Sequence, residues 1–178
     1  SGIYGELKQE SNQLTALEAA FDQGLLDKKN EYTALYQLLM RAEAPFKAAK
    51  VMDYGIKNDF VKDDEKHLKM LAQGWHMAQE LEIAEPIYEK AAKKSEEGEL
   101  YVFLGQIYLA TERYDLAKDT LKLGLKKGKL KDPVTVNILL GQVSYEQQEF
   151  EDATKFCRTA LDRLTDLKIK DKKLLEKR

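Results

Sequence analysis

A pattern that returns every 33 to 36 residues constrains this chain more than any other feature of its sequence. Leu104-Gly105-Gln106-Ile107-Tyr108 and Leu140-Gly141-Gln142-Val143-Ser144 lie 36 residues apart. Twelve positions beyond each glycine stands a small residue, Ala117 and Ala153, and seven further on another, Gly124 and Ala160. The columns also run backwards. The leucine column reads Leu35, Leu71, Leu104 and Leu140, and the position after it Tyr36, Ala72, Gly105 and Gly141. Three residues on come Leu39, Trp75, Tyr108 and Ser144. The first small column is Ala48, Ala84, Ala117 and Ala153, the second Gly55, Ala91, Gly124 and Ala160. Met52, Tyr88, Leu121 and Cys157 fall between the two small columns. Self-similarity at a fixed period of this length is the mark of stacked repeats.

Each unit reads as two antiparallel helices, which cannot bury their apolar faces alone and must stack on a neighbour. Small columns let helices approach closely, and large residues fill the remaining space. Trp75, Tyr88 and Tyr108 are therefore expected in the core, and Cys157, on a core column, as a buried, inert thiol. The leucine-glycine-x-x-tyrosine … alanine spacing resembles the tetratricopeptide repeat. That resemblance implies an all-α, right-handed superhelical solenoid of antiparallel helix pairs.

Local signals set the boundaries. Asp132-Pro133 reads as a cap followed by a first-turn proline, and Pro45 suits the first turn of another helix. Pro86 lies about two turns into its helix and should kink it or displace its start. Residues 1–28 read as the second helix of a preceding, truncated unit, because Gly24-Leu25-Leu26-Asp27-Lys28 echoes Asp59-Phe60-Val61-Lys62-Asp63. Four repeats follow at about 29–64, 65–97, 98–133 and 134–165, then a lysine-rich capping or frayed helix over 166–178. Ser1-Gly2 reads as a cloning remnant ahead of a chain cut from a longer protein.

Chemistry is hard to find. His67 and His76 are nine residues apart on one predicted helix, which turns them to opposite sides, so they cannot share a metal. Asp63-Asp64-Glu65 suits a helix start and lacks the spacing and glycine of a calcium loop. No phosphate-cradling loop or activated nucleophile is recognisable, so neither catalysis, cofactor nor metal is expected. A net charge of −2 offers no basic face for nucleic acid. No apolar stretch is long enough for membrane insertion. The lone Cys157 rules out an internal disulfide and does not decide the compartment.

What remains is protein binding. In tetratricopeptide architectures the first helix of each unit lines a concave groove. Gln37, Gln73, Gln106 and Gln142 recur at one groove position, each carrying a donor and an acceptor that an extended peptide backbone can use. The alternative is that glutamine is only a good helix former at a half-exposed site. Neighbouring positions supply Met40, Arg41, His76, Met77, Leu109 and Tyr145, with Lys69, Val102 and Ile138 one turn earlier. Exposed methionine, leucine and tyrosine on such a face point to a protein or peptide partner. The carboxylate clamp of some chaperone-binding relatives is not carried over, since glutamine replaces its asparagine and the basic positions do not match.

Three runs carry a narrower resemblance: Gln37 through Ala49, Gly74-Trp75-His76-Met77-Ala78, and Glu97-Gly98-Glu99-Leu100-Tyr101. Over roughly residues 20 to 165 the chain resembles tetratricopeptide proteins associated with TonB energy-transduction systems of Gram-negative bacteria. This implies a periplasmic scaffold serving iron or nutrient uptake, with TonB-system components as partners; the alternative compartment is the cytoplasm. The alternative function is a structural assembly protein that forms homo-oligomers through its terminal helices.

Overall fold

A computed structural model describes the backbone of residues 2–175 and the side chains of residues 9–166. Over that span the chain is helical, with no strand among the described residues. The helices are α1 (Gly2–Asp22), α2 (Lys29–Arg41), α3 (Pro45–Lys57), α4 (Glu65–Met77), α5 (Leu81–Lys94), α6 (Glu99–Ala110), α7 (Tyr114–Lys127), α8 (Pro133–Glu146) and α9 (Phe150–Leu175). They form two compact units, Ser1–Lys94 and Ser95–Arg178. The first holds α1 and the hairpins α2/α3 and α4/α5. The second holds α6/α7 and α8/α9. The expected all-α fold of helix pairs is what the chain adopts.

The helix starts follow from local chemistry. Asp132 accepts from the backbone N–H groups of Val134 at 2.9 Å and Thr135 at 3.2 Å, and Pro133 opens α8. Asp64 caps α4 by accepting from the His67 N–H at 3.1 Å. Both satisfy donors that a helix start otherwise leaves orphaned. Pro45 opens α3. Pro86 neither ends α5 nor displaces its start, which is Leu81. The missing N–H frees the carbonyl of Glu82, and because Glu82 and Pro86 are both exposed, water can serve it.

Every hairpin turns in the same way. Glu43, Gln79, Glu112 and Gln148 all take positive φ, between 56° and 64°. In each turn the next residue's N–H reaches back over the helix end: Ala44 to Leu39 at 2.9 Å, Glu80 to Trp75 at 2.9 Å, Arg113 to Tyr108 at 2.8 Å and Glu149 to Ser144 at 2.8 Å. This is a Schellman-type closure with a left-handed residue in the position glycine usually takes. The echo between residues 24–28 and 59–63 is structural too. Gly24 and Asp59 are both left-handed, and Leu26 and Val61 behind them are both buried.

In the first unit, Phe21, Tyr32, Tyr54 and Phe60 form an aromatic cluster; the Tyr32 and Phe60 rings stack with centroids 5.3 Å apart. Gly74 brings α4 onto α3, where an added Cβ would stand 3.0 Å from that of Ala49. The Tyr36 hydroxyl crosses from α2 to donate to the Met70 carbonyl at 2.5 Å. In the second unit the approach is tighter still. A Cβ on Gly98 would lie 2.1 Å from the Gly124 carbonyl oxygen, so only glycine fits there. Gly105 receives Leu121, and Gly141 receives Cys157, at the same register one repeat later.

Trp75, Tyr88 and Tyr108 are buried as expected. Cys157 is not: it is exposed, lining an open groove between α8 and α9. Nor does a break separate residues 166–175 as a helix of their own. They continue α9, which runs 26 residues against the 14 of α8. Residues 176–178 lie outside the described residues.

Candidate protein-binding surface

On the first unit, Gln37 and Arg41 are exposed on α2 with Met40 half-buried between them. Arg41 pairs with Glu10 of α1 at 3.2 Å. On α4, Lys69, Gln73 and His76 are half-buried, whereas Met77 is 60% exposed. His76 stands edge-on to Tyr88, centroids 5.9 Å apart, and its burial lowers its pKa, favouring the neutral imidazole. His67 is buried at the start of α4, its Nδ1 2.8 Å from an Asp64 carboxylate oxygen. Burial alone would raise the Asp64 pKa, but the His67 backbone N–H and imidazole outweigh it and hold that carboxyl below its usual range. Among the described residues no three histidines, cysteines or carboxylates are grouped to hold a metal ion. Nor is any described helix long and apolar enough to cross a membrane.

On the second unit the expected groove residues divide. Val102 is buried at 7% exposure, so it belongs to the interior and offers nothing to a ligand. Gln106 and Leu109 are half-buried. Their counterparts one repeat later, Ile138, Gln142 and Tyr145, are exposed, at 51% for Ile138 and 62% for Tyr145. The reason is positional: α8 packs against α6 and α7, and among the described residues no further helix packs on α8 and α9.

Ile138, Gln142 and Tyr145 consequently line an open groove of about 620 Å³ whose far wall is α9, with Ala153, Cys157 and Leu161. Its α8 side holds three residues singled out by the sequence columns, and its α9 side residues that the columns assign to the core or leave out.

Helix pairs closed by identical turns, with glycine or alanine where the helices meet, define a tetratricopeptide-repeat fold. Solved structures bear this out. MamA superposes with a TM-score of 0.75 at 14% identity, over 86% of this chain and 87% of that one. A MamA fragment from Desulfovibrio magneticus RS-1 gives 0.69 at 11% identity, over 86% and 93%. YrrB, described as a TPR protein with an unusual peptide-binding site, gives 0.72 at 12% identity, over 90% and 81%. At such identities the likeness is one of fold. No family model and no curated protein matches the sequence.

Proposed function

We propose that this chain is a non-enzymatic scaffold that binds a protein segment along its first-helix faces. The observation that carries the reading is the recurrence of glutamine at one position of all four first helices, beside apolar side chains that remain exposed. On the first unit these are Gln37 and Gln73 with Met77; on the second, Gln142 with Ile138 and Tyr145. Glutamine hydrogen bonds fix an extended backbone but add only about 1 kcal/mol each, because water competes for the same groups. Burial of Met77, Ile138 and Tyr145 supplies most of the affinity. A peptide-binding site in YrrB supports a peptide ligand for this fold.

The finer reading is a periplasmic component of a TonB system, supported by the runs 37–49, 74–78 and 97–101. Crosslinking in the native envelope, followed by identification of the captured proteins, tests that placement. Binding is tested with the captured partner. Gln73→Ala combined with Met77→Ala should weaken affinity several-fold and shift folding stability by no more than about 0.5 kcal/mol, as surface changes do. Unchanged affinity would move the partner site off these helices.

A further inference from the structure

In the first unit, α1 and α3 face each other across a cleft with walls of opposite charge. Glu18 and Asp22 stand one turn apart on α1, Lys47 and Lys50 one turn apart on α3. Because α2 lies antiparallel to each, α1 and α3 run in the same direction, and the four side chains form two rungs. The first rung is closed: the Lys47 Nζ donates to Glu18 at 2.9 Å. The second is open. Lys50 holds its ammonium over the Phe46 ring, 5.2 Å from the centroid, and among the described residues no ion pair joins it to Asp22. Both Lys50 and Asp22 are exposed. The cleft measures about 230 Å³, with Leu35, Leu39 and Val51 at its floor. The repeat explains the space. Leu39 stands in the column that holds Trp75 and Tyr108 in the next two units, and the smaller side chain leaves room unfilled.

Charge and room together define what fits. A carboxylate on one wall receives a cation, an ammonium on the other receives an anion, and an apolar floor takes a hydrocarbon group. An apolar cavity of about 150 Å³ already takes benzene. This cleft therefore holds a benzyl or isobutyl group with polar atoms left at the mouth. An α-amino acid presents all three features, its ammonium and carboxylate on one carbon and its side chain beside them. We propose that this cleft binds a free α-amino acid with an apolar side chain. Its ammonium meets Asp22, its carboxylate meets Lys50, and its side chain lies against Leu35, Leu39 and Val51. The bound molecule completes the open rung, so both of its charges are needed. None of the residues assigned to the peptide partner takes part, and either site can fail without the other.

Isothermal titration calorimetry of the full chain with L-leucine and L-phenylalanine tests this, and amide NMR shifts locate the site. Saturable binding is expected, with shifts centred on Asp22, Leu39 and Lys50. Isocaproate is leucine without its ammonium and isoamylamine is leucine without its carboxylate; each should bind about tenfold more weakly. Asp22→Asn and Lys50→Gln each remove one charge at an exposed position. Each should also weaken leucine binding about tenfold and leave the melting temperature unchanged. Leu39→Trp sets into the floor the residue its column holds one repeat later, and should abolish binding. If that variant does not fold, the two surface variants decide the matter. Neither heat nor shifts up to the solubility of both amino acids overturns the proposal. So does binding that ignores Asp22→Asn and Lys50→Gln. Isocaproate or isoamylamine binding as tightly as leucine overturns it too, because the cleft would then select only for an apolar group.

Discussion

Two alanines on one sequence column have different surroundings. Ala117 is fully buried beneath α6 and α8, while Ala153, at 8% exposure, borders the open groove of the last hairpin. Ala117→Leu should therefore overpack and cost about 1–3 kcal/mol. Ala153→Leu should cost less, because its extra methylenes can turn into the groove. Paired urea melts check this; equal losses would mean that the last hairpin is as closed as the others. Tyr36 gives a pH test. Its burial pushes the phenol up to about 12 from an ordinary 10.0. The folded state thus holds its proton longer than the unfolded one, so stability is intact below pH 10 and falls between about 10 and about 12. Tyr88, also buried, adds to the fall in the same direction. Tyr36→Phe should lose about 1 kcal/mol at neutral pH with the bond to Met70, and show a shallower alkaline decline.

The hairpin turns are elements the sequence did not announce. Four non-glycine residues, Glu43, Gln79, Glu112 and Gln148, hold left-handed backbone at matching places. A Cβ in that region costs about 1–2 kcal/mol. Glycine would relieve the strain but loses more freedom on folding, so the net gain is smaller. Gln79→Gly and Glu112→Gly should each stabilise by about 0.5–1 kcal/mol, and Gln79→Val should destabilise. Thermal melts decide it; a loss with glycine would show that the side chains themselves hold the turns. The turns escaped the sequence reading because it looks for glycine at helix ends, and here tertiary packing imposes the conformation on Glu and Gln. Helix starts were more legible. Asp132-Pro133 and Pro45 stand in sequence where they act in space, because capping is a contact across two or three residues.

At the scale of the molecule, stability comes from packed helix pairs, so removing metal should change nothing. Incubation with a chelator should leave the circular dichroism spectrum and melting temperature as they were, and a drop of several degrees would reveal a bound ion. The sequence by itself determined the repeat register, the helix pairs, and the burial of Trp75, Tyr88 and Tyr108. All of these follow from periodicity, which is a local property repeated. The same periodicity puts glutamine at one register of α2, α4, α6 and α8. Only the tertiary structure decided which members of a column meet solvent. Val102 and Ile138 share a register, yet one is interior and the other open; Leu121 and Cys157 divide in the same way. Exposure in a stacked fold depends on which helices pack over a residue, and no residue in the column carries that information.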